Sequence, residues 1–152
     1  FTGVLSMTIK VKKLSPDAIL PEYHSEGAAG ADIYACLEKD IELKPNEIKL
    51  IPTGLAVEIP EGYEIQIRPR SGLASKGIII PNSPGTIDPD YRGEIKVILM
   101  NLSGSNFVIK KHDRIAQMVL SKFEKIEFME VEELSPTRRG EGGFGSTGIN
   151  RK

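Results

Sequence analysis

Short runs in which apolar and polar residues alternate make up much of this chain. Met7, Ile9 and Val11 are separated by polar residues, and the same alternation recurs at residues 55–59 and 63–68. Alternation with a period of two predicts a strand with one buried face, and the turn residues between such runs return about every 8 to 12 residues. The pattern therefore predicts an all-β sandwich or barrel.

Further runs of strand length follow the same plan. The small residues of 28–35 let two backbones approach closely, and the turn residues 44–47 predict a hairpin between runs 41–43 and 48–51. Residues 97–100 are apolar at every position, which predicts a strand buried on both sides, with another subunit as a candidate cover. The last predicted strands are residues 107–109 and 115–120.

Residues 71–77 carry the helix signals of the sequence. Ser71 is a good N-cap, Leu73 and Ala74 favour helix, and Gly77 suits the position just after a helix. One or two helical turns are therefore expected here, in a chain that otherwise lacks clean helical periodicity.

Composition limits the classes of function. The 15 glycines, 10 prolines and 6% aromatic residues fit many short strands joined by turns. A formal net charge of −1 gives no overall field, so neither nucleic acid nor a membrane is expected as a partner. The single cysteine, Cys36, excludes an intrachain disulfide, while His24 and His112 lie too far apart to indicate structural zinc. We expect an intracellular, cytoplasmic protein, with the nucleus and organelles left open.

The length suits one domain, and the composition changes near its end. We expect a β-barrel domain at residues 7–136 and a flexible glycine-rich tail at residues 137–152. Residues 1–6 precede Met7 and are expected to be a cloning remnant, so they do not enter the fold prediction. No apolar run is long enough to span a bilayer.

The first candidate site is the segment P-G-T-I-D-P-D-Y-R-G-E, residues 84–94. Turn residues at both ends and apolar runs on either side predict a loop or tight hairpin raised on a sheet, with Asp88, Asp90 and Tyr91 at its tip. Such loops commonly present working residues. The alternative is a solvated Asp-Pro-Asp turn.

Three other places carry candidate ligands for an anion or a metal. Arg68 and Arg70 stand directly before the predicted helix, whose first N–H groups have no internal partner, and together they suit an anion. Asp32 is the only charge in its small-residue run, and Gln117 is the only polar residue in run 115–120. The alternatives are a capped surface turn with solvated arginines, a carboxylate bonded to a turn, and a structural amide.

The tail is the last candidate. Five of the glycines, at positions 140, 142, 143, 145 and 148, lie within nine residues. Glycine amides can wrap a phosphate chain, Arg138, Arg139, Ser146 and Thr147 supply donors, and Phe144 resembles a stacking residue for a flat ligand. The segment is not a Walker A sequence, and the alternative is a disordered tail without a role.

Together these segments resemble the trimeric dUTP pyrophosphatases (dUTPases). The five ordered motifs of that family appear as A-G-A-D-I-Y-A at 29–35, R-P-R-S-G-L-A-S-K-G at 68–77, N-S-P-G-T-I-D-P-D-Y-R-G-E at 82–94, R-I-A-Q-M-V-L at 114–120 and R-G-E-G-G-F-G-S-T-G at 139–148. The resemblance covers nearly the whole chain. It implies a jelly-roll-like β-barrel or sandwich subunit with one short helix, and a homotrimer with active sites between subunits.

The resemblance also implies a reaction and a role for each site residue. The reaction is hydrolysis of dUTP to dUMP and pyrophosphate with Mg²⁺ on the triphosphate, which keeps uracil out of DNA and supplies dUMP for thymidylate synthesis. Asp88 would activate the attacking water and Tyr91 would pack under the deoxyribose. Asp32 would orient water around the metal. The implied substrate contacts are Asn82, Gly85, Thr86 and Ile87 at uracil, Arg70, Ser71, Gly72 and Gln117 at the phosphates, Arg139, Gly145, Ser146 and Thr147 in the tail, and Phe144 covering uracil.

Two other functions fit the same scaffold. A dCTP deaminase shares the fold and carries a proton-transferring glutamate on the strand after the hairpin, where this chain has Ile98. Isoleucine cannot transfer protons. A non-catalytic nucleotide-binding or protein-interaction module would have lost the aspartate or the tail, and both are present.

Overall fold

A computed structural model describes residues 6–151 of the chain. Residues 1–5 of the expected remnant and residue 152 of the expected tail lie outside the described residues. The elements are β1 Lys10–Lys13, β2 Ala31–Tyr34, β3 Ile41–Leu43, β4 Ile48–Pro52, β5 Leu55–Glu58, β6 Tyr63–Arg68, α1 Ser71–Ala74, β7 Ile78–Ile79, β8 Gly85–Ile87, β9 Lys96–Asn101, β10 Phe107–Ile109 and β11 Arg114–Lys122. Across residues 6–151, no helix is long and apolar enough to cross a membrane.

The strands form small sheets in which every described pair is antiparallel. The largest sheet has the order β2-β11-β6-β8, and a second sheet has the order β4-β9-β7. Two pairs, β1-β5 and β3-β10, complete the architecture. The prediction of a jelly-roll-like, nearly all-β subunit with one short helix is confirmed.

The core collects the inward-facing positions of the alternating runs. On β6, Ile65 and Ile67 are buried while Glu64 and Gln66 face outward, as the period of two predicts. Full burial of one such aliphatic side chain stabilises the fold by about 1.5–3 kcal/mol. The largest fully buried aliphatic side chains are Ile33, Leu43, Ile51, Leu55, Ile78, Leu99, Ile109 and Ile115.

The predicted hairpin between β3 and β4 is wrong. The turn itself forms, because the Glu47 N–H donates to the Lys44 carbonyl at 3.0 Å and Asn46 takes a φ of 66°. Its two strands, however, pair with β10 and β9 and belong to different sheets. Turn residues decide only that the chain reverses, whereas packing of the apolar faces decides which strands pair.

Burial alternates along strand β9, although its sequence predicts burial at every position. Val97 and Leu99 are buried, but Ile98 and Met100 on the other face are only partly covered. The expected burial on both sides is therefore not reached within one chain. Leu50, which is 57% exposed, lies opposite Ile98 and continues this apolar outer face onto β4.

Helix α1 has the single turn that the prediction of one or two turns allows, but it starts differently. Its N-cap is Arg70 rather than Ser71, which is already helical, and no side chain caps it. Gly77 ends the segment as expected, with a φ of 88° and its N–H bonded to the Ala74 carbonyl at 3.0 Å. The first strand also begins later than predicted, since regular pairing starts at Lys10.

Candidate active site

The central segment begins as a strand rather than as a loop. Residues of β8 pair with β6, with Ile87 opposite Ile65 and Gly85 opposite Ile67. Gly85 and Ile87 are buried while Thr86 faces outward. The run is too short for alternation to reveal it in the sequence. Because β8 and β9 lie in different sheets, residues 88–95 form a loop between sheets, and the tight-hairpin alternative is wrong.

Hydrogen bonds within this loop fix its tip. The Tyr91 N–H donates to the Asp88 carbonyl at 3.1 Å. The Arg92 guanidinium donates to the carbonyls of Pro89 at 2.6 Å and Tyr91 at 3.2 Å. These contacts close a tight turn, so that Asp88 and Tyr91 reach the same cavity.

That cavity has a volume of about 500 Å³ and holds one group of the predicted residues. Its volume is within the usual range for small-molecule sites, and buried aliphatic residues form its inner wall. Asp90, predicted at the same tip, does not line it. The predicted site residues that line it are Asn82, Gly85, Thr86, Ile87, Asp88 and Tyr91.

The Tyr91 ring is held in a defined position. Its hydroxyl donates to the Glu94 carbonyl at 2.8 Å, and the ring crosses Gly93, where a Cβ would lie 2.6 Å from the ring carbon Cζ. Tyr91 is still 45% exposed, so part of the ring is open toward the cavity. The C–H face of a sugar could pack on that open part.

A second cluster surrounds Asp32 on β2. Its carboxylate lies 3.3 Å from Arg70 Nε, 3.2 Å from an Arg114 amine and 3.4 Å from His24 Nε2. The expectation that Asp32 bonds a neighbouring turn is therefore wrong for its side chain, whose partners are side chains. Two guanidinium groups against one carboxylate leave a local excess of positive charge, which suits an anion.

Tyr34 lies at the edge of this cluster. Burial raises the pKa of its hydroxyl. The hydrogen bond that the hydroxyl donates to Glu22 and the nearby negative charges of Glu22 and Asp32 raise this pKa further, whereas Arg114 lowers it. The hydroxyl lies 3.0 Å from His24 Nε2. Tyr34 therefore keeps its proton at neutral pH and remains a hydrogen-bond donor beside the Asp32 cluster.

Gln117 connects the strands that carry the cluster. It lies opposite Asp32 on β2 and Arg68 on β6, and its amide donates to the Pro69 carbonyl at 2.9 Å. Its amide oxygen occupies the space where a Cβ of Gly30 would lie. The N–H group of Gln117 therefore has the structural role that the alternative predicted. Its contact with the phosphates stays a prediction.

One chain does not bring the two clusters together. Ile67 on β6 lies opposite Gly85 on β8, and these strands run in opposite directions. Arg70 therefore lies three residues beyond this pair on one side, and Asp88 three residues beyond it on the other. At the rise of a β-strand, the six residue steps correspond to about 20 Å. The two backbones are therefore too far apart for a direct hydrogen bond between the side chains of Arg70 and Asp88.

The tail contributes to neither cluster in this chain. Among residues 137–151, the described hydrogen bonds join tail residues to one another, such as Arg139 Nε to the Gly142 carbonyl at 2.7 Å. Phe144 is fully exposed, and Ser146 bonds back to Gly143 through its N–H. The predicted tail contacts at Arg139, Gly145, Ser146 and Thr147 therefore stay predictions.

Sequence reasoning missed several residues of both clusters. His24 and Arg114 hold the Asp32 carboxylate, and Glu94 accepts the Tyr91 hydroxyl. Only one of these had a local signal, because Glu94 follows Gly93 in the same turn. The contacts of Asp32 join residues far apart in sequence, so they depend on strand pairing.

A cavity with an aliphatic inner wall and the Asp88 carboxylate at its rim, together with a cluster of guanidinium groups on the same sheet, suits an enzyme on an all-β scaffold that binds a small anionic substrate. The dUTPase family model matches residues 16–148. The chain therefore belongs to the dUTPase family, and its activity is that of a dUTP diphosphatase, which hydrolyses dUTP to dUMP.

Several known proteins are similar along almost their whole length. The deoxyuridine 5'-triphosphate nucleotidohydrolase of Rickettsia bellii (strain OSU 85-389) is 59% identical over 143 residues, which cover 93% of this chain and 95% of that protein. The enzyme of the same name from Hydrogenobaculum sp. is 56% identical over 144 residues, covering 94% and 99% of the two chains.

Solved structures show the same likeness. The Staphylococcus bacteriophage 80alpha dUTPase with dUPNHPP superposes with a TM-score of 0.86 at 32% identity, covering 95% of this chain and 100% of that chain. A mutant dUTPase from phage phi11 of S. aureus, described for its coordination of a structural Mg(II) ion, has a TM-score of 0.76 at 28% identity, covering 86% and 100%. Family membership argues against the deaminase and the non-catalytic alternatives.

Proposed function

We propose that Asp88 activates the water that attacks the α-phosphorus of dUTP, which releases dUMP and pyrophosphate. The observation that carries this proposal is an exposed carboxylate at the rim of the cavity. Within residues 6–151 this carboxylate has no ion-pair partner, so it is free to accept a proton from water. General-base catalysis of this kind contributes typically ~10²–10⁴-fold to the rate.

The cavity supports recognition of the deoxyuridine part. The side chain of Asn82 and the backbone of Gly85, Thr86 and Ile87 would read the uracil edge, and Tyr91 would pack under the deoxyribose. A pocket that hydrogen-bonds uracil rejects cytosine, because its polar groups would then be left unpaired. The Tyr91 ring would exclude a 2′-hydroxyl by its bulk.

The Asp32 cluster supports binding of the triphosphate with Mg²⁺. Arg70, Ser71, Gly72 and Gln117 would contact the phosphates, and Asp32 would hold the metal through water. Within the described part of the chain no group of three or more His, Cys, Asp or Glu side chains could cage a metal ion. One carboxylate beside two guanidinium groups suits a metal that arrives with the substrate phosphates, as Mg²⁺ commonly does. When bound, Mg²⁺ neutralises charge on the reacting phosphates.

We further propose a homotrimer in which copies share each site. The separation of about 20 Å between Asp88 and Arg70 supports this arrangement, because it leaves room for a neighbouring copy to supply the phosphate-binding residues at each cavity. The exposed apolar face of β4 and β9 offers an interface. The tail, with Arg139, Phe144, Gly145, Ser146 and Thr147, would close over a site on another copy. We place the protein in the cytoplasm, where the reaction would remove dUTP and supply dUMP for thymidylate synthesis.

The Asp88→Asn variant tests the proposed mechanism. The amide has nearly the same size but cannot accept a proton, so kcat should fall by ~10² or more while KM changes little. The matched control is Asp90→Asn in the same turn, because Asp90 does not line the cavity. A near-normal kcat in Asp88→Asn, measured by pyrophosphate release, would exclude Asp88 as the base.

A further inference from the structure

The carboxylate of Glu94 fastens the loop that carries Asp88 and Tyr91 to a different part of the fold. We propose that Glu94 is a positioning residue for sugar selection, because the hydrogen bond of its carboxylate fixes the backbone that holds the Tyr91 ring. This inference rests on the proposed role of Tyr91 against the deoxyribose. It adds a residue that does not itself contact the sugar.

The anchor is a hydrogen bond between distant residues. Glu94 Oε2 accepts the Gly54 N–H at 3.0 Å, across 40 positions in sequence. Gly54 has a φ of 68°, which favours glycine, and its carbonyl accepts the Leu14 N–H at 2.7 Å. The carboxylate is therefore bonded to a backbone group that is itself held on its other side.

The turn that receives this carboxylate is tied to the end of the same loop. The buried Thr53 hydroxyl donates to the Ile95 carbonyl at 2.6 Å, and the Ile95 N–H donates to the Leu55 carbonyl at 2.8 Å. These bonds flank the Glu94–Gly54 contact on both sides. The Thr53 N–H also donates to the Ile95 carbonyl, at 3.3 Å. The position of the Glu94 backbone is thus fixed by four hydrogen bonds, one of which depends on its side chain.

The backbone of Glu94 in turn fixes the ring. Its carbonyl accepts the Tyr91 hydroxyl at 2.8 Å, while the missing side chain of Gly93 leaves space for the ring. A shift of Glu94 would therefore move the hydroxyl anchor of Tyr91. Exclusion of a 2′-hydroxyl depends on ring position, and a misplacement of about 1 Å at an active site can cost about 10²-fold in rate.

The carboxylate of Glu94 is less free than that of Asp88 in this arrangement. It lines the cavity, yet one of its oxygens is engaged with Gly54. The two carboxylates of the loop that line the cavity therefore have different tasks. Asp88 activates the water, and Glu94 fixes the position of the Tyr91 ring against which the sugar is selected.

The test compares Glu94→Ala with Glu94→Gln by their selection between dUTP and UTP. The readouts are the ratio of kcat/KM values for dUTP and UTP, and the Kd values of dUMP and UMP by calorimetry. In Glu94→Ala the dUTP/UTP ratio should fall about tenfold, the effect expected for one lost hydrogen bond to a charged group. Glu94→Gln keeps an acceptor oxygen and should stay within about threefold of the wild-type ratio.

Glu47→Ala is the matched control. Glu47 also accepts a backbone N–H, that of Lys44 at 3.0 Å, but in a turn away from the cavity. Its removal should leave the dUTP/UTP ratio unchanged. If Glu47→Ala lowers the ratio as much as Glu94→Ala does, the effect is general destabilisation and the inference is wrong.

A second variant covers the case in which Glu94→Ala does not fold. In Gly93→Ala the added Cβ would meet the Tyr91 ring, so the same loss of selection is expected while the carboxylate stays in place. An unchanged ratio in either folded variant overturns the inference. If Tyr91→Ala changes the ratio and Glu94→Ala does not, only the positioning role fails; if Tyr91→Ala leaves it unchanged, the proposed sugar assignment itself fails.

Discussion

Two inactive chains should restore activity when they are mixed, if the tail of one copy closes over the cavity of another. The first chain lacks residues 137–152 and keeps Asp88; the second is full-length and carries Asp88→Asn. Removing the tail should leave the body folded, because the tail is exposed and its described hydrogen bonds are internal. Each parent assembly should be almost inactive for a different reason.

The size of the recovery follows from the geometry of a ring. A working site needs an intact cavity loop from one copy and a tail from a neighbour, and a trimer that contains both chain types has one such site in three. Equal random mixing makes about three quarters of the trimers mixed, so activity should return to roughly one quarter of wild type. If each tail covered its own cavity, every site would carry one defect and activity would stay near zero.

Pyrophosphate release after joint refolding measures the recovery, and native mass spectrometry counts the mixed trimers. An equal mixture of the truncated chain with wild type is the control. It should give about half of the wild-type activity under either arrangement, so it checks reassembly alone. A confirmed population of mixed trimers that is as inactive as its parents would refute the shared site.

Two further predictions concern the sugar and the core. Tyr91→Ala should lower the dUTP/UTP ratio of kcat/KM and weaken dUTP itself, because both the exclusion and the stacking area are lost; an unchanged ratio would contradict the steric role. Asn101→Ala should lower the free energy of unfolding in urea by about 2–4 kcal/mol, since the buried amide bonds the Leu43 and Ser105 carbonyls at 2.8 Å and accepts the Ser103 N–H at 2.9 Å. A loss below about 1 kcal/mol would contradict this account.

Strand positions were the most predictable part of the fold. Alternation at residues 63–68 coincides with β6, and the run at 107–109 coincides with β10, because each strand has one face in the core. Strand partners were not predictable in the same way. The turn at residues 44–47 resembles a hairpin turn, yet its strands enter different sheets, because pairing depends on contacts between residues far apart.

In the candidate site, too, residues that are close in sequence were predictable and long-range contacts were not. The cavity group was predictable because Asn82 to Tyr91 are close in sequence and share one strand and one loop. The contact of Glu94 with Gly54 was not, although Glu94 ends the same segment, because Gly54 lies 40 residues earlier in the chain. The Asp32 cluster required the register of β2 against β11, which places Arg114 beside β2 and which no local pattern encodes.

The proposed role of the Asp32 cluster at the phosphates would explain how a chain with a net charge of −1 attracts a triphosphate. Arg70 is held twice, by Asp32 at 3.3 Å and by the Arg114 carbonyl at 3.2 Å. A guanidinium fixed in this way loses less rotamer entropy when a phosphate arrives, which is a cost of about 0.5–1.5 kcal/mol for an immobilised flexible side chain. The carboxylate thus lowers the net charge of the cluster but orients its donors in advance. A local, pre-oriented excess of positive charge suits one anionic substrate, without the broad basic surface that would also bind nucleic acid.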